Sequence, residues 1–428
     1  MPTKGARGRI LTVYRVSAPF RLPTWLALCT VIAYWITPES TFLSQWRVPK
    51  LASGSDLLYY VSALAIFCVS SVVGAAFGKP PKSQAVRAGG RHQRILQQYT
   101  SLGLIGAVLG YLVWGCVGIS RAGGIAQLVE ARRSNPYYVK SVLLDTIPGV
   151  TTLTQVAVLA IPVWYVLKCG RRLRREFVTV GLLILFAFIR SQLFLERLAI
   201  IELVLPLGFL AVCQRRLSVK RMALYVVALL VVTLVFFTGS ELTRSLSNLR
   251  SYEGRSIIEA GTMRFAGYYL TSINNGVLSI REGATLPLWN TFRMIWRFPG
   301  MEGLYSHITG LSVEPSSVVL SRAGLNPEFN TSTAIGAWAA DFGFFGGLVW
   351  ALIIGMVSGA LWALGVRDHL LRAFYAVWLV GELELMRIEY FSGTRLFPAY
   401  VFWVGAVLLR SVARERGQDI CKEEARKV

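Results

Sequence analysis

Ten apolar runs separated by polar stretches set the frame of this chain, at 22–37, 57–78, 99–119, 150–167, 177–189, 198–213, 222–238, 344–366, 373–389 and 396–409. Several approach the ~20 residues that an α-helix needs to cross ~30 Å of hydrocarbon. The pattern predicts an all-α polytopic membrane protein with about 10 transmembrane helices. Composition agrees: 54% of residues are hydrophobic, 16% are charged and the mean hydropathy is +0.51, more apolar than a soluble domain of this length. One interval breaks the rhythm. Residues 239–343 hold eight Arg, seven Glu, one Asp and no Lys. Long ordered loops are usually functional, so the chain reads as a single integral membrane domain, 1–428, with one large extracytoplasmic (periplasmic) loop, 239–343, inside it.

The net charge of +22 would suit a nucleic-acid binder, but its placement points elsewhere. With the N-terminus cytoplasmic, the inside segments hold 27 Lys and Arg against 6 acids, and the outside segments 17 against 13. That asymmetry is the positive-inside bias of membrane proteins. Both termini are expected in the cytoplasm, with the lipid bilayer and no nucleic acid as partner. The basic N-terminal residues lack a small-residue cleavage site after Trp35, so the first span is expected to be retained. The six Cys avoid the long loop and show no metal-ligand spacing; no disulfide there, no metal and no cofactor are expected.

Two spans carry charges that an ordinary span would not. The fifth and sixth runs are short, and Arg190, Glu196 and Arg197 lie between them at the outer interface. Glu202 follows deeper, with Pro206 four residues on, where proline cannot donate to the Glu202 carbonyl. An ionisable group at membrane depth is costly and marks either function or a structural ion pair. The ninth run holds Glu382, Glu384, Arg387 and Glu389; Glu384 and Arg387 are spaced to pair on a helix, and Glu382 and Glu389 to share a face. Thr residues and Gln155 at the outer end of the fourth run can bond a substrate or a neighbouring helix.

Within the long loop, Arg264 through Gly276 mixes aromatics, amides and an expected turn at Asn274-Asn275-Gly276. Leu288 to Tyr305 interleaves Trp289, Phe292, Ile295, Trp296 and Phe298 with Arg293 and Arg297, an amphipathic stretch suited to a membrane surface. An outward-facing, Arg-rich site suits a substrate with a lipid tail in the bilayer and a diphosphate at its surface.

Arg190–Pro206 (RSQLFLERLAIIELVLP), Pro148–Gln155 (PGVTTLTQ) and the stretch from Glu328-Phe-Asn-Thr to Asp341-Phe-Gly-Phe-Phe-Gly-Gly347 resemble motifs of bacterial oligosaccharide repeat-unit polymerases, the O-antigen polymerase (Wzy-type) family. The resemblance implies a GT-C-like membrane glycosyltransferase that elongates glycans on undecaprenyl diphosphate at the inner membrane. It implies that Arg190, Arg197, Arg264 and Arg322 contact diphosphates and that Asn274, Asn275, Asn326 and Asn330 orient sugar hydroxyls. Glu196 or Glu328 would be the general base, with Asp341 a further candidate; Glu202, Glu382, Glu384 and Arg387 would be structural or functional inside the membrane. The implied partners are an undecaprenyl-diphosphate-linked oligosaccharide, a chain-length regulator and a flippase. Two alternatives remain open: an O-antigen ligase using His307, and a lipid-linked-oligosaccharide flippase or transporter.

Overall fold

The computed structural model describes residues 21–77, 90–134, 138–144, 147, 149–167, 174–194, 198–214, isolated positions between 224 and 239, 256–281, 288–298, 300–312, 314, 316–366 and 368–427. Every regular element among them is helical: α1 (Arg21–Ile36), α2 (Gly54–Phe77), α3 (Gly90–Ala122), α4 (Ile125–Ser134), α5 (Val150–Leu167), α6 (Arg174–Phe194), α7 (Leu198–Gln214), α8 (Ile257–Arg281), α9 (Met301–Thr309), α10 (Ser316–Arg322), α11 (Ala334–Gly365), α12 (His369–Leu383) and α13 (Phe397–Lys427).

Among the described residues, five helices are long and apolar enough to cross a membrane: Gly54–Phe77, Gln93–Ala122, Val150–Leu167, Glu176–Leu193 and Ala334–Gly365. A sixth is added if Leu22–Ile36 and Glu39–Trp46, which meet at 96°, form one broken span. The chain is therefore a helical membrane protein, with five to six candidate spans among the described residues. Two further expected spans coincide with the shorter apolar helices Leu198–Cys213 and Phe397–Ala413. The expected span at 222–238, the polar stretch 240–255 and most of the basic segment 79–94 lie outside the described residues.

The expected ninth helix, 373–389, stops early, because α12 ends at Leu383. Glu384 and Arg387 do pair, but in a turn: the Arg387 and Ile388 N–H groups donate to the Glu384 carbonyl at 2.8 and 2.9 Å, and the Leu385 carbonyl accepts from Ala334 at the start of α11. Glu382 and Glu389 thus share no helix face.

The chain divides into two compact units, residues 1–80 with 263–394 and residues 81–262 with 395–428. In the first unit, α2 runs along α11 through a seam of small residues, Ser70, Ser71 and Gly74 against Gly355 and Gly359. Helix starts are capped by their own sequence. Ser53 and Asp56 bond each other's backbone N–H at 2.8 and 3.3 Å, and Thr333 accepts from Gly336 N–H at 2.9 Å. Helix α11 breaks at Gly343, whose φ of 73° and ψ of 174° suit glycine alone. The short part before the break is buried and the long part after it carries exposed apolar side chains.

The stretch expected to turn at Asn274-Asn275-Gly276 is instead continuous helix within α8, and every residue from 270 to 277 is buried. Gly276 allows this, because a Cβ there would sit 2.6 Å from Thr333 Oγ1 and 3.4 Å from the Gly336 Cα. Part of the expected outer loop is thus core of the first unit. In the second unit α3 packs along α5, which also meets α7 and α13. Of the candidate spans α5 is the most enclosed, 61% of its apolar window being buried against 28–39% in the others.

Candidate functional site

The first unit gathers ionisable side chains around one face of α8. Arg264 and Tyr268 lie one turn apart, and the segment after α10 approaches them. There the Asn326 side chain accepts from Glu328 N–H at 3.0 Å and donates to the Trp46 carbonyl at 3.1 Å. This local turn aims Glu328 at Arg264, and the two form an ion pair at 2.6 Å. The guanidinium is sandwiched over the Phe329 ring at 4.6 Å and the Tyr268 ring at 5.7 Å. Arg264 is 9% exposed at its side chain and Glu328 33%, so the carboxylate forms the open edge of the pair.

The same unit holds the Glu384–Arg387 ion pair. The Arg387 charge acts on the hydroxyls of both Tyr268 and Tyr269, and Glu384 acts on Tyr269. Burial pushes the Tyr269 phenol well above its usual range, so it stays a hydrogen-bond donor. Tyr268 links the two ion pairs, its ring lying against Arg264 and its hydroxyl feeling the Arg387 charge. Arg264, Glu328, Glu384 and Arg387 were expected from sequence in separate roles; the tyrosines were not, because aromatic residues in an apolar chain carry no distinguishing pattern.

Other expected residues are occupied elsewhere. The Asn274 carbonyl oxygen accepts from the Tyr34 hydroxyl at 2.5 Å and Leu51 N–H at 3.0 Å, while its amide donates to the Pro49 carbonyl at 2.6 Å. Asn275 donates to the Phe329 and Thr331 carbonyls at 2.5 and 2.7 Å. Both amides serve as internal clamps rather than as ligands for sugar hydroxyls. Asn330 is exposed. Arg322 is exposed on α10 and pairs with Glu314 at 3.0 Å. The buried Asp341 carboxylate accepts from Asn290 N–H and Nδ2 at 3.3 and 3.1 Å and from Thr291 N–H at 2.5 Å, which makes it a cap for that segment rather than an open base. Glu382 is wholly buried and accepts from the Tyr375 hydroxyl at 3.2 Å, with the Ser358 hydroxyl also acting on it. Glu196 and Arg197 lie outside the described residues.

The second unit holds a separate buried cluster. Arg190 donates to Thr154 Oγ1 at 2.8 Å and lies over the Trp114 ring at 5.9 Å. It also interacts with the Tyr111 hydroxyl, which feels the charges of Arg395 and Glu202. Glu202 pairs with Arg395 at 3.1 Å, their side chains being 2% and 21% exposed. Thr154 thus bonds a neighbouring helix. The Glu202–Arg395 partnership joins residues so distant in sequence that neither spacing nor periodicity could reveal it.

Among the described residues no group of three or more His, Cys, Asp or Glu is placed to hold a metal ion. The chain matches no protein-family profile, no curated protein and no solved structure.

Proposed function

We propose that the chain is a GT-C-type membrane glycosyltransferase that polymerises undecaprenyl-diphosphate-linked repeat units into O-antigen or exopolysaccharide. On this reading it has ten spans and cytoplasmic termini, and it acts at the periplasmic face of the bacterial inner membrane. The observation that carries the reading is the Arg264–Glu328 pair, a carboxylate at the open edge of a cluster of guanidinium and phenol donors.

The acceptor's sugar hydroxyl attacks the anomeric carbon of the donor. Its proton passes to Glu328, the bond from carbon to the diphosphate oxygen breaks, and the lipid diphosphate leaves with the electron pair. Arg264 orients the carboxylate and faces the charge that grows on the leaving group. His307, on which the ligase reading depends, is exposed on α9 and belongs to neither cluster.

The test is a Glu328→Gln variant in a strain lacking its own polymerase. Glutamine keeps the shape and cannot take the proton, so the polysaccharide ladder is expected to collapse to the single-repeat product. A ladder of normal length and intensity from this variant, expressed at the parental level, would remove Glu328 from the mechanism.

A further inference from the structure

The segment at 288–311 is fastened to the first unit by polar bonds and leaves an apolar face uncovered. Asp341 holds its start through Asn290 and Thr291, two residues before the break at Gly343. Met294 N–H donates to the Ser392 carbonyl at 3.0 Å, and the Phe292 ring lies 5.8 Å from that of Trp350 on α11. Trp289 and Tyr305 turn inward, their rings 4.9 Å apart. Ile295, Phe298, Leu304 and Ile308 turn outward, Ile308 with 67% of its surface exposed.

The attachment fixes the depth of this face. It is tied to α11 where that helix begins to show lipid-length apolar surface, starting with Phe344 and Phe345, the latter 80% exposed. A membrane helix that begins there puts the segment at the level of lipid headgroups, where Trp and amphipathic helices concentrate.

Two cations accompany the face. Arg293 and Arg297 lie one helical turn apart, and burial together with the charge of Arg297 pulls Arg293 below the ordinary arginine range. The carboxylates that act on Arg293, Asp341 and Glu389, are taken up by backbone N–H groups of Asn290, Thr291 and Ser392. Arg293 bonds the Asn290 side chain at 3.0 Å, while its Nε is buried with no hydrogen-bond partner among the described residues. An acceptor oxygen placed there would satisfy the Arg293 Nε and relieve the repulsion between the two guanidiniums.

We infer that residues 293–308 form a lipid-docking surface, with Ile295, Phe298, Leu304 and Ile308 against acyl chains and Arg293 with Arg297 on the phosphate of a membrane phospholipid. This requires only that the chain resides in a bilayer and is independent of the transferase reading.

The test uses full-length protein whose six cysteines are replaced by serine, carrying Ile308→Cys labelled with a small fluorophore, in nanodiscs. Brominated lipids are expected to quench it several-fold more than a label at Glu302→Cys on another face of α9. Equal quenching at the two sites overturns the docking. For the phosphate, native mass spectrometry of protein released from phosphatidylglycerol-containing discs is compared with Arg297→Gln, an exposed change that leaves the fold in place, and with the double variant Arg293→Gln/Arg297→Gln. Retained phosphatidylglycerol should fall several-fold. Unchanged retention in both variants overturns the phosphate contact, and so does retention of a lipid diphosphate to the exclusion of phosphatidylglycerol.

Discussion

Replacing Gly359 with alanine tests the packing of α2 against α11 at its tightest point. A Cβ at Gly359 would lie 2.7 Å from the Ala75 nitrogen and the Ser71 carbonyl carbon, and closer still to the Ser71 oxygen. Ordinary contact needs about 3.5 Å, and all three atoms are backbone, so no side chain can swing aside. The helices must part by roughly 1.5 Å, so the cost lies at the upper end of the range for overpacking, about 2–3 kcal/mol. Alanine returns about 1 kcal/mol of helix propensity. The net is a loss of about 1–2 kcal/mol, or a Tm roughly 2–8 °C lower for a unit of this size. Gly106 and Gly181 provide the contrast, because a Cβ at either meets nothing within 4 Å. Alanine there should leave the Tm unchanged or raise it. The assay is the fraction of detergent-solubilised, full-length protein that remains monodisperse after heating. A Gly359→Ala protein as heat-resistant as the parent, beside neutral Gly106→Ala and Gly181→Ala, would refute the close seam.

Gly343→Ala should cost about 1–3 kcal/mol through its own backbone rather than through neighbours, since no atom lies within 4 Å of the added carbon; a Tm equal to the parent's would mean that α11 runs straight. Glu202→Gln and Arg395→Gln should each lower the Tm, with a double-mutant coupling of about 1–3 kcal/mol; strict additivity would deny that the pair forms. Arg190→Lys keeps the charge but not the planar donor set that reaches Thr154, and the product ladder should shorten or vanish; a normal ladder would leave Arg190 with a structural role only. Asn274→Ala removes acceptors and donors that hold Tyr34, Pro49 and Leu51, and should reduce folded yield far more than Asn330→Ala at an exposed position.

Local pattern made much of the membrane frame legible. The apolar run expected to open at residue 344 starts one residue after the Gly343 break, because glycine followed by paired phenylalanines is a local signal. The amphipathic reading of 288–305 also has a counterpart in the outward Ile295 and Phe298. What escaped was non-local. Asn274-Asn275-Gly276 has the composition of a turn, yet it is helix because backbone carbonyls and a hydroxyl from other segments satisfy the amides and Gly336 needs the space. Glu384 and Arg387 have helical spacing, but the Leu385 carbonyl is held by Ala334 and the chain turns instead. Of the site, Arg264 and Glu328 stood out singly, and their meeting depends on a turn closed by Asn326 onto Trp46.

The clamp of Asn274 on Tyr34 joins residues 240 positions apart, so it also constrains how the protein is made. At about 5–20 residues per second, roughly 10–50 s of synthesis separate the two. Throughout that interval the Tyr34 hydroxyl can accept from the Ala52 N–H but lacks the acceptor for its own proton, while the whole of residues 81–262 is produced. The first unit is begun before residues 81–262 are made and closed only after them. The early helices are therefore the part of the nascent chain most dependent on being sheltered until α8 arrives.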